Sequence, residues 1–410
     1  MKPTVLVATT CRWFSTTRLA IALADAGFAT EAVCPPGHPI AKISSTTRVN
    51  TYRGLRPIES LRRAIAAAKP DLIVPSDDLA TRHLFDLYER ECSARTGEFD
   101  IRGSIERSIG APANFSGLKS RTRLIEIAER ERIRVPKTAV IQNLGELKRW
   151  TAQQGFPSVL KADGTSGGTG VRVVQTFEEA ERNFLELQAP PSFAKIATQL
   201  RGERDSTRIV PWLRRQRTLV NAQTFISGRE ATSTIACWKG TVIASLHFEV
   251  LKTAYPGGPS TVVRWIENAD MREAAEKMVR RLNLSGIHGL DFIFDGDNGR
   301  PFLIEINHRA TQVGHLALGP ERDLPAALFA AVSGGLPRPA PKVTDNPTIA
   351  FFPQEWIRDP DSEFLSSAHH DVPWGEPKLI QACVAALPRP TAFRLTQSGI
   401  VPCLPARNRS

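Results

Sequence analysis

Short apolar runs alternate with amphipathic stretches through the first quarter of the chain. Residues 3–9, PTVLVAT, are apolar and β-branched, which predicts a buried strand. STTRLAIALADAG follows with helical spacing, with Ser15 as candidate N-cap and Gly27 as candidate stop. ATEAVC reads as a second strand, PPGHP as a turn, PIESLRRAIAAAK as a helix and PDLIVPSDD as a third buried strand. Strand, helix, strand, helix, strand is the alternation of a parallel α/β sheet. No G-x-G-x-x-G follows the first strand, so a dinucleotide site is not expected there.

The pattern changes near residue 116. GLKSRTRLIEIAERERI predicts one long amphipathic helix, AVIQ a strand and LGELKRWTAQQG another helix. FPSVLKADGTSGGTGVRVV then holds two strands around a glycine-rich loop, followed by the helix TFEEAERNFLELQ. Next come a strand pair, TLVNAQTFISGREATSTIACW and GTVIASLHFEVLKTA, the loop YPGGPSTV, and the helix ADMREAAEKMVRRLN. The hairpin IHGLDFIFDGDNGRPFLIEIN closes the region. GGLPRPAPKV reads as a Pro-rich linker before a tail with strand-like TIAFFPQEW, and no internal repeat is visible.

Two stretches carry candidate chemistry. Lys161 precedes a loop containing Gly164, Ser166, Gly167, Gly168 and Gly170. Glycines leave backbone N–H groups bare and allow positive φ, so such a loop can close over phosphate oxygens, with the lysine as a point charge. A mobile hairpin without ligand reads equally well, and no Walker A G-K-[ST] is present. In the hairpin, a turn centred on Asn298 places Asp291 across from Glu305, with Asn307 on the same face and Ile304 and Ile306 on the other. Facing acids repel unless a cation sits between them, and carboxylate and amide oxygens suit Mg²⁺. The alternative is a solvated polar face.

The composition narrows this picture. The chain has 410 residues, enough for two to three domains, with 41% hydrophobic and 23% charged residues, which is ordinary for a globular protein. No apolar run reaches membrane-spanning length, and the apolar start is too short for a signal peptide. The six cysteines show no C-x-x-C spacing, which argues against a disulfide framework and fits a cytoplasmic protein. The net charge of +11 comes largely from arginines mixed with glutamates on helix-like stretches, including Arg121 to Arg134 and Arg201 to Arg217. That distribution favours a solvated helix face over nucleic-acid binding.

Taken in order, VLKADGTSGGTGV, NAQTFISGRE and GLDFIFD…FLIEINHRA resemble the ATP-grasp superfamily of ATP-dependent carboxylate–amine ligases. The resemblance covers about residues 1–330. It implies an N-terminal parallel-sheet domain (1–115), an ATP-grasp domain in two lobes (116–205 and 206–334) and a C-terminal extension (335–410) without assigned role. It implies Lys119 and Lys161 as nucleotide-binding lysines and the 164–170 loop as a lid. Thr224, Phe225 and Ile226 would be the adenine hinge, with Gln223 beside it. Glu230 would face the ribose. Asp291, Glu305 and Asn307 would hold Mg²⁺, or Mn²⁺, and Arg309 would stabilise an acyl phosphate. This chain lacks the glutamate that many relatives carry at or beside Gln223 and Thr224. The implied reaction joins a small carboxylate to an amine with release of ADP and phosphate. A small-molecule kinase and a nucleotide sensor remain alternatives, and a homodimer is a state common among such relatives.

Further candidates are weaker. The loop Lys252 to Thr261 could face the nucleotide, and Arg12, Trp13 and the PSDD stretch end strands where open α/β sheets bind ligands. His288 and His308 read as structural more readily than as bases, and His369 and His370 as surface residues.

Overall fold

The computed structural model describes residues 2–91, 99–163, 168, 170–190, 196, 217–385, 393–396 and 399–402. The chain opens with β1 (Thr4–Ala8), α1 (Phe14–Asp25), β2 (Ala29–Cys34), β3 (Thr46–Thr51), α2 (Pro57–Ala68), β4 (Leu72–Pro75), α3 (Asp78–Glu91) and α4 (Ile101–Ile109). The four strands form a parallel sheet in the order β3-β2-β1-β4. Central β1 and β4, at the edge opposite β3, are both buried along nearly their whole length, which is why they read as unbroken apolar runs. The polar strand β3, TTRVNT, gave no hydrophobic signal because it lies at the sheet edge with much of its length exposed. Helix α1 starts two residues earlier than the cap signal suggested: Trp13 is the N-cap and makes no side-chain cap bond, so Ser15 lies inside the helix.

The helix expected from residue 117 is two helices, α5 (Phe115–Leu118) and α6 (Arg121–Arg130). Ser120 takes extended backbone between them, and its hydroxyl accepts the Arg123 N–H, as an N-cap does. The break separates Lys119 from Arg121.

The next unit is a small lobe. It contains β5 (Thr138–Ile141), α7 (Leu144–Gln154), β6 (Ser158–Ala162), β7 (Val171–Val174), α8 (Phe177–Gln188) and β8 (Val220–Thr224). Its antiparallel sheet runs β5-β8-β6-β7. Alternation puts Leu160, Val174, Val220 and Ala222 into a core with Leu147, Trp150 and Phe184 from the two helices. The opposite face, including Val159, Lys161 and Gln223, looks into a cleft.

Residues 225–227 cross to the second sheet, formed by β9 (Gly228–Trp238), β10 (Thr241–Thr253), β11 (Ser260–Trp265), β12 (Gly286–Asp295) and β13 (Pro301–Asn307). Helices α9 (Ala269–Leu282) and α10 (Leu324–Ser333) pack on it. Gly228 is required at the crossing, since a Cβ there would lie 1.7 Å from the Phe294 carbonyl. The residues counted as a tail are built into this sheet. β14 (Thr348–Ala350) pairs with β11, and beyond α11 (Gln354–Arg358) and α12 (Phe364–Ser367), β15 (His369–His370) pairs with β14. The sheet thus has seven strands, in the order β13-β12-β9-β10-β11-β14-β15. His369 and His370 are half-buried in this strand rather than surface residues. The chain continues through α13 (Pro377–Ala385) to a hairpin of β16 (Phe393–Thr396) and β17 (Gly399–Pro402).

The parallel sheet and the large sheet share their cores. Leu6, Ile73 and Leu84 cluster with Ile235, Met271 and Phe292, while Val5, Leu19 and Val74 cluster with Leu246, Ile287 and Phe351. The small lobe keeps its own core and meets the rest across the cleft. Among the described residues, Cys34, Cys237 and Cys383 are free thiols, and no helix is long and apolar enough to cross a membrane.

Candidate active site

Asp291 and Glu305 face each other across β12 and β13, the pairing expected from the hairpin. The turn is centred half a residue earlier than Asn298, since Phe292 pairs with Leu303 and Phe294 with Pro301. A bulge at Ile304 supplies the extra residue that brings Glu305 opposite Asp291. It also turns Ile304 toward the cleft, whereas Ile306 enters the core as expected. Asp291 is half-buried, accepts hydrogen bonds from the Thr232 hydroxyl at 2.8 Å and the Asn307 Nδ2 at 2.7 Å, and sits beside Glu305. Burial first, then the neighbouring Glu305, pushes its carboxyl up to about 6.

Among the described residues, three cationic side chains surround this pair. Lys161 comes from β6 of the small lobe, is buried, and reaches the Ile304 carbonyl at 3.4 Å. Burial lowers its ammonium from the usual lysine range, although Glu305 pulls the other way. Arg121, at the start of α6, donates to Glu305 at 2.9 Å and to the Ala162 carbonyl at 3.1 Å. Arg309 donates Nε to Asp78 at 2.9 Å and a terminal nitrogen to Asn307 Oδ1 at 3.3 Å. Burial opposes its charge, but Asp78, Asp291 and Glu305 together outweigh burial and the net direction is upward.

Lys119 is not among them. It projects from the break before α6 onto α3, where it binds Asp86 at 3.2 Å and Glu89 at 2.9 Å, and it does not line the cleft. Arg121, read from sequence as part of a solvated helix face, lines the cleft instead. The signal that could have found it is Ser120, which starts a new helix and turns the next residue inward.

The cleft has a volume of about 480 Å³. At one end lie Gln223, Thr224, Phe225, Ile226 and Glu230. Residues 225–227 run between the two sheets with their backbone outside both ladders. Glu230 is open to the cleft, yet desolvation by the protein around it raises its carboxyl. Val159, Val171, Val173 and Phe292 give this end apolar walls. Of the glycine loop, Gly164, Ser166 and Gly167 lie outside the described residues. Gly168 lines the cleft with φ +73°, and a Cβ on it would come within 2.1 Å of the Gly257 carbonyl. The loop between β10 and β11 therefore meets the glycine loop across the cleft. Gln312 braces it by donating to the Ser260 carbonyl at 2.7 Å.

At the other end, Trp13 and Asp78 from the parallel-sheet domain reach the cleft. The two aspartates of PSDD divide their roles. Asp77 accepts the Thr9 and Thr10 hydroxyls and the Ala80 N–H, which fixes the start of α3, while Asp78 faces the cleft. Arg12 turns away to the Pro36 carbonyl at 2.6 Å. His288 and His308 form a buried edge-to-face pair and do not line the cleft. Burial lowers His288 to about 4, so it is neutral near pH 7.

Residues 121–313 match the ATP-grasp domain family. The chain carries an ATP-grasp domain. Its fold also matches solved ATP-grasp structures over most of its length. Carboxyaminoimidazole ribonucleotide synthase from Aspergillus clavatus, complexed with ATP, is 17% identical, with 98% of this chain and 90% of that one covered at TM-score 0.59. N5-carboxyaminoimidazole synthetase from Staphylococcus aureus, complexed with ADP, is 13% identical over 83% and 80% at TM-score 0.56. The biotin carboxylase domain of 2-oxoglutarate carboxylase from Hydrogenobacter thermophilus is 16% identical over 82% and 71% at TM-score 0.56. The ATP-grasp architecture comprises the N-terminal parallel sheet, the small lobe and the large sheet, with the cleft between the lobes.

Proposed function

We propose that this protein is an ATP- and Mg²⁺-dependent ligase that joins a small carboxylate to an amine through an acyl phosphate. The observation that carries the reading is the Asp291–Glu305 pair ringed by Lys161, Arg121 and Arg309, where the two lobes meet. Asp291, Glu305 and Asn307 offer the oxygen donors that a hard divalent cation takes, and facing acids are the charge pattern that such a cation relieves. When bound, Mg²⁺ or Mn²⁺ would spread the negative charge of the phosphates.

The chain's own residues account for the rest. The apolar end of the cleft suits adenine, with the backbone of 225–227 as its hydrogen-bonding edge and Glu230 toward the ribose. The carboxylate oxygen and the γ-phosphate are both anionic, so their approach needs fixed positive charge. Lys161 and Arg121 supply it on the phosphate side and Arg309 on the acyl side. Burial disfavours the charge on Lys161, so an arriving phosphate is a partner it gains from directly. An acyl phosphate is destroyed by water, and the contact between Gly168 and Gly257 closes the mouth over the phosphates.

The test is ADP release from Mg-ATP against pooled amino acids and small carboxylates, with Asp291→Asn/Glu305→Gln as the blank. Release that requires both an acid and an amine, and that is lost in the blank, is expected. Release with one substrate alone would make the protein a kinase. ATP binding without release from any pool would leave a sensor or a substrate outside the pools.

A further inference from the structure

The cleft has a second end, away from the hinge residues. Beyond Arg309, its wall comes from the parallel-sheet domain: Trp13 from the turn after β1 and Asp78 from the start of α3. The described carboxylates that line the cleft are Asp78, Glu230, Asp291 and Glu305. Asp291 and Glu305 belong to the cation cluster, and Glu230 lies at the hinge end. Asp78 is therefore the acid left for a substrate. Its side chain is 45% exposed; Oδ1 accepts Arg309 Nε, and Oδ2 has no hydrogen-bond partner among the described residues. The Arg309 guanidinium lies 5.7 Å from the centre of the Trp13 ring. A flat π-face and a carboxylate with a free oxygen thus flank the guanidinium assigned to the acyl phosphate.

Resting on the ligase reading, we propose that Trp13 and Asp78 form the subsite for the amine co-substrate, which is a primary ammonium carried on a flat or apolar body. The ammonium pairs with Asp78, and the body packs on the indole, the face that also attracts cations. Asp78 takes one proton from the ammonium. The nitrogen lone pair then attacks the acyl carbon, the C–N bond forms, and the C–O bond to phosphate breaks. The second nitrogen proton leaves with inorganic phosphate. A carboxylate co-substrate would not sit here, since Asp78 would repel it.

Saturation-transfer NMR on the full-length protein with the nonhydrolysable Mg-AMPPNP tests this, using benzylamine, benzyl alcohol and benzoate as probes. Benzylamine is expected to bind at least tenfold more tightly than either of the others. Asp78→Asn and Trp13→Ala should each weaken benzylamine at least tenfold and leave AMPPNP affinity within twofold, and Trp13→Phe should restore most of it. Preference for benzoate, or unchanged benzylamine binding in both Asp78→Asn and Trp13→Ala, overturns the proposal. The readout is independent of turnover. If no acid–amine pair releases ADP while benzylamine binding still requires both residues, the ligase reading falls and the amine site stands. Where turnover is found, Trp13→Ala should raise KM for the amine and leave KM for ATP unchanged.

Discussion

Arg121 and Lys119 stand two residues apart and face different ways. Lys119 closes an exposed ion pair with α3, a contact of little energetic weight, whereas Arg121 contacts Glu305 beside the buried Lys161. Arg121→Ala should weaken Mg-ATP binding by about 10- to 100-fold, the value of a charge-assisted bond of roughly 1.5–3 kcal/mol. Lys119→Ala should leave it within twofold. Calorimetric titration of the two variants decides the matter, and the reverse ranking would return the role to Lys119. The family resemblance pointed to Lys119, and the continuous amphipathic pattern hid the break that one serine cap creates. The Asp291–Glu305 pairing was legible through two offsetting errors of half a residue, the turn centre and the bulge at Ile304. Bulges leave no mark in a period-two pattern, so the inward turn of Ile304 was not readable.

Among the elements, the strands of the parallel sheet and the β12–β13 hairpin were legible because burial writes itself as apolar runs and turn residues. The edge strand β3 was not, and neither was the joining of β14 and β15 to the large sheet. Strand-like TIAFFPQEW could be seen, but nothing in its local pattern names β11 as its partner. The joining has a consequence at the cleft. Fully buried Glu355 accepts the Thr261 hydroxyl at 2.6 Å and Arg358 Nε at 2.7 Å, while Phe351 N–H bonds the Thr261 carbonyl at 2.9 Å. Burial would raise the Glu355 carboxyl, but Arg358, Ser362 and Thr261 together bring it below the usual range. C-terminal residues thereby anchor the strand that follows the 256–260 loop. Thr261→Val should cost only about 1 kcal/mol of stability, yet speed amide hydrogen exchange in residues 255–260 severalfold. Unchanged exchange there would mean that the strut does not hold the loop.

Over the whole molecule, one buried cluster ties three regions together. Asp371 pairs with Arg18 of α1 and accepts His315 Nε2 at 2.6 Å. Burial alone would raise its carboxyl, but Arg18 and His315 outweigh burial and hold it well below the model-peptide value of 3.8. A carboxyl depressed in the folded state stabilises above its unfolded pKa and loses that contribution as pH falls through the folded value. Asp371→Asn should therefore cost about 3 kcal/mol or more at pH 7, measured by urea denaturation, and the gap from wild type should narrow below about pH 4. A gap that stays constant from pH 7 to pH 3 would contradict the ion-pair account. This cross-link explains why a Pro-rich linker, exposed over 335–343, does not mark off a separate tail.

The central claim is that a carboxylate is activated by phosphorylation in the cleft between the lobes. It is tested most directly by supplying an ¹⁸O-labelled carboxylate that supports ADP release with an amine. The account predicts one ¹⁸O atom in the released phosphate for each turnover and none in the blank that lacks Asp291 and Glu305. Phosphate free of label, with product formed, would rule out the acyl phosphate and the roles assigned to Lys161, Arg121 and Arg309.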